Sequence, residues 1–97
     1  LRLFTQFVER LKTIPEGDGT LLDHTVLLYG SGMSDANQHY PLQLPTLVFS
    51  GTGMDIKTGR HVKYPTTTKL ADFQLTLLEK IGMPEERFGD SGSRLSI

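Results

Sequence analysis

The densest group of residues able to do chemistry is Gly30-Ser31-Gly32-Met33-Ser34-Asp35-Ala36-Asn37-Gln38-His39. Asp35 and His39 pair a carboxylate with an imidazole, donors that suit a divalent metal, and His24 and His61 are the more remote candidates to join them. Gly30 and Gly32 can turn backbone N–H groups toward a cavity as an anion nest, with Ser31 and Ser34 as further hydroxyl donors. Each feature has a plainer counterpart. Glycines punctuate turns, an Asp commonly caps one, and a His such as His39 can bond a backbone carbonyl. Asp35 and His39 alone do not make a metal motif. Ser31, with Gly directly on both sides, does not satisfy the Gly-x-Ser-x-Gly of a nucleophile elbow.

Other clusters divide in the same way. Lys57, Arg60, His61 and Lys63 can meet a phosphate or sulfate, or form a solvated edge that deters aggregation. Glu85, Glu86 and Asp90 can be read as an acid/base set or as surface charge following a helix, the simpler view for acidic side chains.

The elements that must position these residues follow from hydrophobic spacing. Leu3, Phe4, Phe7, Val8 and Leu11 form the stripe of an amphipathic helix, and Pro15 with Gly17 and Gly19 stops it. Thr25 to Tyr29 is a short, nearly all-apolar run, as expected of a strand buried on both faces in a parallel sheet. Gly30 to Tyr40 is then a loop at its carboxyl end, where open α/β sheets gather ligands. Thr46 to Ser50 reads as a second buried strand, and Arg60 to Tyr64 as a polar edge strand closed by Pro65. Leu70, Phe73, Leu77, Leu78 and Ile81 mark a second helix, with Thr66 to Thr68 offering an N-cap, Gly82 a left-handed stop and Pro84 a block to continuation. The residues after Ser91 read as an irregular tail that needs a neighbour to be ordered. This order predicts an α/β fold: a partial layered sheet of two or three short strands flanked by two helices.

Composition narrows the classes. With 97 residues, 37% hydrophobic and 22% charged, the chain is one domain at most. Having no cysteine, it is neither a disulfide scaffold nor a Cys-ligated zinc site. A net charge of -1 gives no electrostatic case for nucleic acid, and no apolar run is long enough for a membrane span. The chain begins at Leu1 within a helical pattern, so residues 1–97 are expected to be a single C-terminal domain or a piece of a larger protein.

Gly19 to Met33, His39, Leu44-Pro45, Gly59-Arg60-His61 and Phe88-Gly89-Asp90-Ser91 together resemble the carboxyl-terminal region of a bacterial family of unknown function known for an upstream His-x-x-Ser-His-His (HXXSHH) motif. The resemblance covers nearly the whole chain. That motif is not among these residues, and the resemblance places it upstream. The family is distantly similar to the alkaline-phosphatase-like and sulfatase-like hydrolases, which implies an α/β/α sandwich, an exported, periplasmic or extracellular location, and a divalent metal in the full-length protein. In those hydrolases the corresponding strand ends in an Asp-His pair that binds metal. Here it ends in Gly30-Ser31-Gly32-Met33, and only His39 matches a later ligand position.

Two functions therefore compete. One is a non-catalytic structural or interaction domain whose apolar strands and stripes are covered by the upstream part of the same protein or by a second copy. The other is part of a metal-dependent phosphate- or sulfate-ester hydrolase-like site, with the Gly30–His39 loop at its rim.

Overall fold

A computed structural model describes all residues from Leu1 to Ile97. Helix α1 runs Arg2–Thr13 and ends at Ile14, whose extended backbone is what a following proline demands. Strands β1 (Pro15–Glu16) and β2 (Gly19–Thr20) then form a tight hairpin, with Gly17 in the left-handed region at its turn. A 3₁₀ turn over Leu21–His24 feeds strand β3, Val26–Gly30. Strand β4, Thr46–Ser50, and helix α2, Leu70–Lys80, complete the fold.

The chain is thus of mixed α/β class, with two helices and two small two-stranded sheets. Strands β3 and β4 occupy the expected segments but pair antiparallel, Val26 opposite Ser50 and Gly30 opposite Thr46, rather than in the parallel sense expected from their apolar content. The connection from Ser31 to Pro45 contains no helix, so it returns the chain beside β3 in the opposite direction. The segment Arg60 to Tyr64 pairs with nothing and is irregular, so the expected edge strand is absent.

Side chains alternate across the β3–β4 ribbon, placing Leu27, Tyr29, Leu47 and Phe49 on one face. Phe4 of α1 seats on that face, its ring centroid 4.8 Å from Tyr29 and 5.1 Å from Phe49. On the opposite face, Leu28, Gly30 and Thr46 look across a concavity of about 240 Å³ toward Leu70 and Gln74 of α2.

Helix α2 is finished as its sequence requires. Gly82 has φ 85°, its N–H donates to the Glu79 carbonyl, and the Met83 N–H donates to the Leu78 carbonyl, the paired bonds of a Schellman stop. Its N-terminus differs from expectation: the cap position is Lys69, not one of the three threonines, and Asp72 Oδ2 accepts the Lys69 N–H at 3.3 Å. Residues Glu85 to Asp90 form no helix, and Phe88 stays exposed.

The core is thin. Only Leu11, Ala71, Asp72, Leu75 and Thr76 are buried, while Leu3 of the α1 stripe is 81% exposed and Phe7 50%. The α1 stripe is therefore buried at Leu11, half-buried at Phe4 and Val8, and open at Leu3 and Phe7. The accessible surface is 7278 Å², whereas a compact monomer of 10.8 kDa exposes about 5500 Å². The radius of gyration of 14.8 Å likewise exceeds the roughly 13 Å of a close-packed chain this long.

Candidate functional site

The loop that leaves β3 is built almost wholly from its own residues. Ser31 Oγ donates to the Met33 carbonyl at 2.8 Å and accepts the Met33 N–H, closing the first bend. Asp35 Oδ1 accepts the N–H groups of Asn37 at 2.9 Å and Gln38 at 3.2 Å, the side-chain-to-backbone turn that Asp is suited to make. The Tyr40 N–H donates to the Asp35 carbonyl and the Ser34 N–H to the Tyr40 carbonyl, so residues 34–40 form a miniature hairpin. Ser34 Oγ adds a bond of 3.3 Å to the Tyr40 carbonyl.

Each residue singled out in the sequence can now be placed. Gly30, Ser31 and Gly32 line the small concavity between the ribbon and α2. Ser34, Asp35 and His39 lie on the hairpin beyond it, all exposed. His39 adopts φ 53°, left-handed backbone that a non-glycine residue seldom takes, at the turn that closes the loop. His24 is elsewhere, its Nδ1 3.7 Å from Glu16 Oε1 beside the first hairpin. His61 lies on the arm between β4 and α2.

A metal needs three or more converging donors, and no group of three His, Cys, Asp or Glu side chains is positioned to hold one. Asp35 spends one carboxylate oxygen on its own turn. The residues of this chain alone therefore do not build the divalent-metal site that the resemblance implies. At most, Asp35 and His39 would supply two ligands to a site completed by other residues.

The carboxylates with the richest surroundings are two the sequence did not mark for chemistry. Asp23, in the 3₁₀ turn, accepts the Thr20 N–H at 2.9 Å and the Thr20 hydroxyl at 3.1 Å on Oδ2, and the Thr52 hydroxyl at 3.3 Å on Oδ1. The Thr20 amide and hydroxyl, aided by Thr52, hold its carboxyl below the usual aspartate range, against a partial burial that pushes it up. Three glycines let the chain close around it. A Cβ on Gly51 would sit 2.5 Å from the Asp23 Cα, one on Gly19 would sit 2.7 Å from Oδ2, and one on Gly53 would overlap the Asp23 carbonyl oxygen. A signal was present in the Thr20-x-x-Asp23 spacing, which pairs a hydroxyl with an acid three residues on.

Asp72, only 7% exposed, takes the Gly92 N–H at 2.6 Å and the Ser93 N–H at 3.2 Å on Oδ1. Those successive amides form an anion nest, and a carboxylate of the same chain occupies it. The Gly92 amide, then those of Ser93 and Lys69, hold this carboxyl down against its desolvation. Thr76, 1% exposed, donates to the Asp72 carbonyl at 2.9 Å and accepts the Leu95 N–H at 2.7 Å. The neighbour that orders the tail is thus α2 itself. Asp90-Ser91-Gly92-Ser93 serves that clasp, with Lys69 Nζ donating to the Asp90 carbonyl at 2.8 Å.

The third feature is a groove of about 1220 Å³ bounded by β4, the arm from Ile56 to Lys69, α2 and the tail. It holds the arm's Lys57, Arg60, His61 and Lys63 along its lining.

No protein-family model, curated protein or solved structure matches this chain.

Proposed function

We infer that residues 1–97 act as a structural and interaction unit, the C-terminal part of an exported bacterial protein of the HXXSHH-motif family. The upstream part of that protein, or a second copy of the chain, would cover the uncovered α1–sheet face. The observation that carries this reading is the exposed surface, roughly 1700 Å² beyond that of a compact monomer. That excess is comparable to the whole of a standard protein–protein interface, about 1600 Å². It includes apolar side chains that have no reason to remain wet: Leu3 and Phe7 on α1, and Tyr29 and Leu47 on the face where Phe4 already sits. The self-contained loop from Ser31 to Tyr40 suits this role, because its hydrogen bonds are spent on holding its own shape.

Static light scattering on the 97-residue chain at low concentration tests the reading. A dimer or larger species is expected, returning to monomer when Leu3 and Phe7 are both replaced by Ser. A stable monomer of the unaltered chain overturns it.

One observation favours the second reading, a place at the rim of a phosphate- or sulfate-ester hydrolase-like site. Gly30, Ser31 and Gly32 line a concavity at the carboxyl end of β3. A divalent metal held by Asp35 and His39 in the full-length protein would decide for that reading over the first.

A further inference from the structure

The groove beside β4 combines a free strand edge, an apolar floor and unneutralised positive charge. The strand edge is recognisable from the lining: Thr46, Leu47, Val48 and Phe49 all border the groove. A sheet face would present only every second residue, so consecutive residues mean that the backbone edge is in view. That edge is open because β4 pairs with β3 alone, leaving the N–H and C=O groups of its other side without a strand partner.

Charge along the groove is one-sided. The arm from Lys57 to Lys69 carries Lys57, Arg60, Lys63 and Lys69 and no Asp or Glu, although acids outnumber bases in the whole chain, 11 to 10. The only acidic residue lining the groove is Asp90, and it is taken by Lys69, with Nζ 3.9 Å from its Oδ2. Lys57, Arg60 and Lys63 have no acidic partner. Gly59, at φ 71°, bends the arm, and Arg60 Nε donates to the Lys57 carbonyl at 3.2 Å, tying these two cationic residues together within one bend.

The chain's own tail shows what kind of segment this wall accepts. Asp90, Leu95 and Ile97 line the groove, Lys69 donates to the Asp90 carbonyl, and the Tyr64 hydroxyl donates to the Ser96 carbonyl at 3.1 Å. The tail is thus held through its backbone carbonyls, with Asp90 beside a lysine and the aliphatic Leu95 and Ile97 along the lining.

We propose that the remaining groove takes a partner's extended acidic peptide with alternating aliphatic side chains, added as a third strand along β4. Main-chain hydrogen bonds to the β4 edge would supply affinity. Lys57, Arg60 and Lys63 would select acidic residues, and Leu44, Val48 and Phe73 would receive the aliphatic ones. A groove of this volume exceeds the few hundred to about 1000 Å³ typical of a small-molecule site, which favours a chain segment over a free anion. This surface differs from the α1 face, so its test can fail while the assembly experiment succeeds, and the reverse.

The test is fluorescence anisotropy of a labelled peptide of alternating Asp and Leu, titrated with the full 97-residue chain, with amide exchange across Thr46–Phe49 followed in parallel. Saturable binding is expected, together with new protection in β4. Replacing Lys57, Arg60 and Lys63 together by Gln should weaken binding about tenfold. Those side chains are exposed and have no acidic partner, so an unchanged circular dichroism spectrum is expected of the variant. Four results would each overturn the proposal: equal binding of a Lys/Leu peptide, undiminished affinity of the triple variant, displacement by an equal concentration of inorganic phosphate, or β4 protection without peptide because a second copy closes the edge.

Discussion

The Asp72 clasp and the Asp35 hairpin both use one carboxylate to gather backbone amides, yet they do different jobs. Asp35 binds the amides of Asn37 and Gln38, its immediate successors, and so shapes only the loop it belongs to. Asp72 reaches Gly92 and Ser93, twenty and twenty-one positions away, and so fixes one segment of the molecule against another. Asp23 belongs to the second type, since its bond to Thr52 ties the turn before β3 to the turn after β4. With so few apolar side chains buried, these long-range clasps carry an unusual share of the tertiary structure. A loop satisfied locally is free to be displayed; a carboxylate satisfied at long range is committed to holding the fold.

The most damaging test of this contrast is Asp72→Ala. It leaves the amides of Lys69, Gly92 and Ser93 without their acceptor in a poorly hydrated position, and an orphaned buried donor costs more than the bond it lost. Amide exchange at Gly92, Ser93 and Leu95 should accelerate by on the order of tenfold or more, and the tail should become sensitive to protease. Asp35→Ala should accelerate exchange at Asn37 and Gln38 only. If the two substitutions loosen the chain equally, the distinction between clasp and display loop is wrong.

Acid should act next, on both clasps at once. Asp23 and Asp72 have carboxyls held below the ordinary aspartate value of 3.8, so the unfolded chain binds more protons than the folded one as the pH drops past that value. Their contribution is therefore complete above the unfolded value and is lost as the pH falls through the lower, folded one. Urea midpoints measured from pH 6 downward should hold until the vicinity of 3.8 and then decline. Asp72→Asn should flatten part of that decline. A midpoint that rises on acidification would contradict the sign of both shifts.

How far the sequence foretold this arrangement depended on the range over which each feature is encoded. Helix α2 was legible because its spacing, Gly82 and Pro84 are local signals, and the Schellman bonds at Gly82 follow from them. The two strands were legible for the same reason. Their antiparallel pairing was not, because an apolar run such as Val26 to Tyr29 looks the same whether both its faces are buried or one awaits a cover. Arg60 to Tyr64 had the composition of an edge strand but found no partner, and pairing is not a property of one segment. In the site, Ser31 to His39 were correctly placed in a loop after β3, whereas Gly30 is the strand's last residue. Asp35 to Asn37 and Gln38 is an interaction within a few residues, so its turn-capping role was among the alternatives. The bonds from Asp72 to Gly92 and from Asp23 to Thr52 depend on how the chain returns in space, which no spacing along it encodes. The groove escaped notice because β4, the arm and the tail meet only in the folded chain.

The finest resolution of the comparison comes from two alanines. Gly51 and Gly32 are both exposed to the same question, whether the site can admit a methyl group, and the structure answers differently. At Gly51 the new Cβ meets the Asp23 Cα at 2.5 Å and its nitrogen at 2.8 Å, backbone atoms that cannot swing aside as a flexible side-chain end would. The turn carrying Thr52 must then retreat, taking its hydroxyl from Asp23 Oδ1 and weakening the Gly51 N–H bond to the Leu22 carbonyl. Gly51→Ala should cost about 1–3 kcal/mol in denaturant unfolding, the usual range for a group forced into a close-packed contact. At Gly32 no atom lies within 4 Å of the added carbon and the backbone is not left-handed. Gly32→Ala should stay within about 0.5 kcal/mol of the parent, as surface substitutions do. A large loss there would mean that the loop after β3 is gripped by something beyond its own hydrogen bonds, and that it belongs with the clasps and not with the displayed surface.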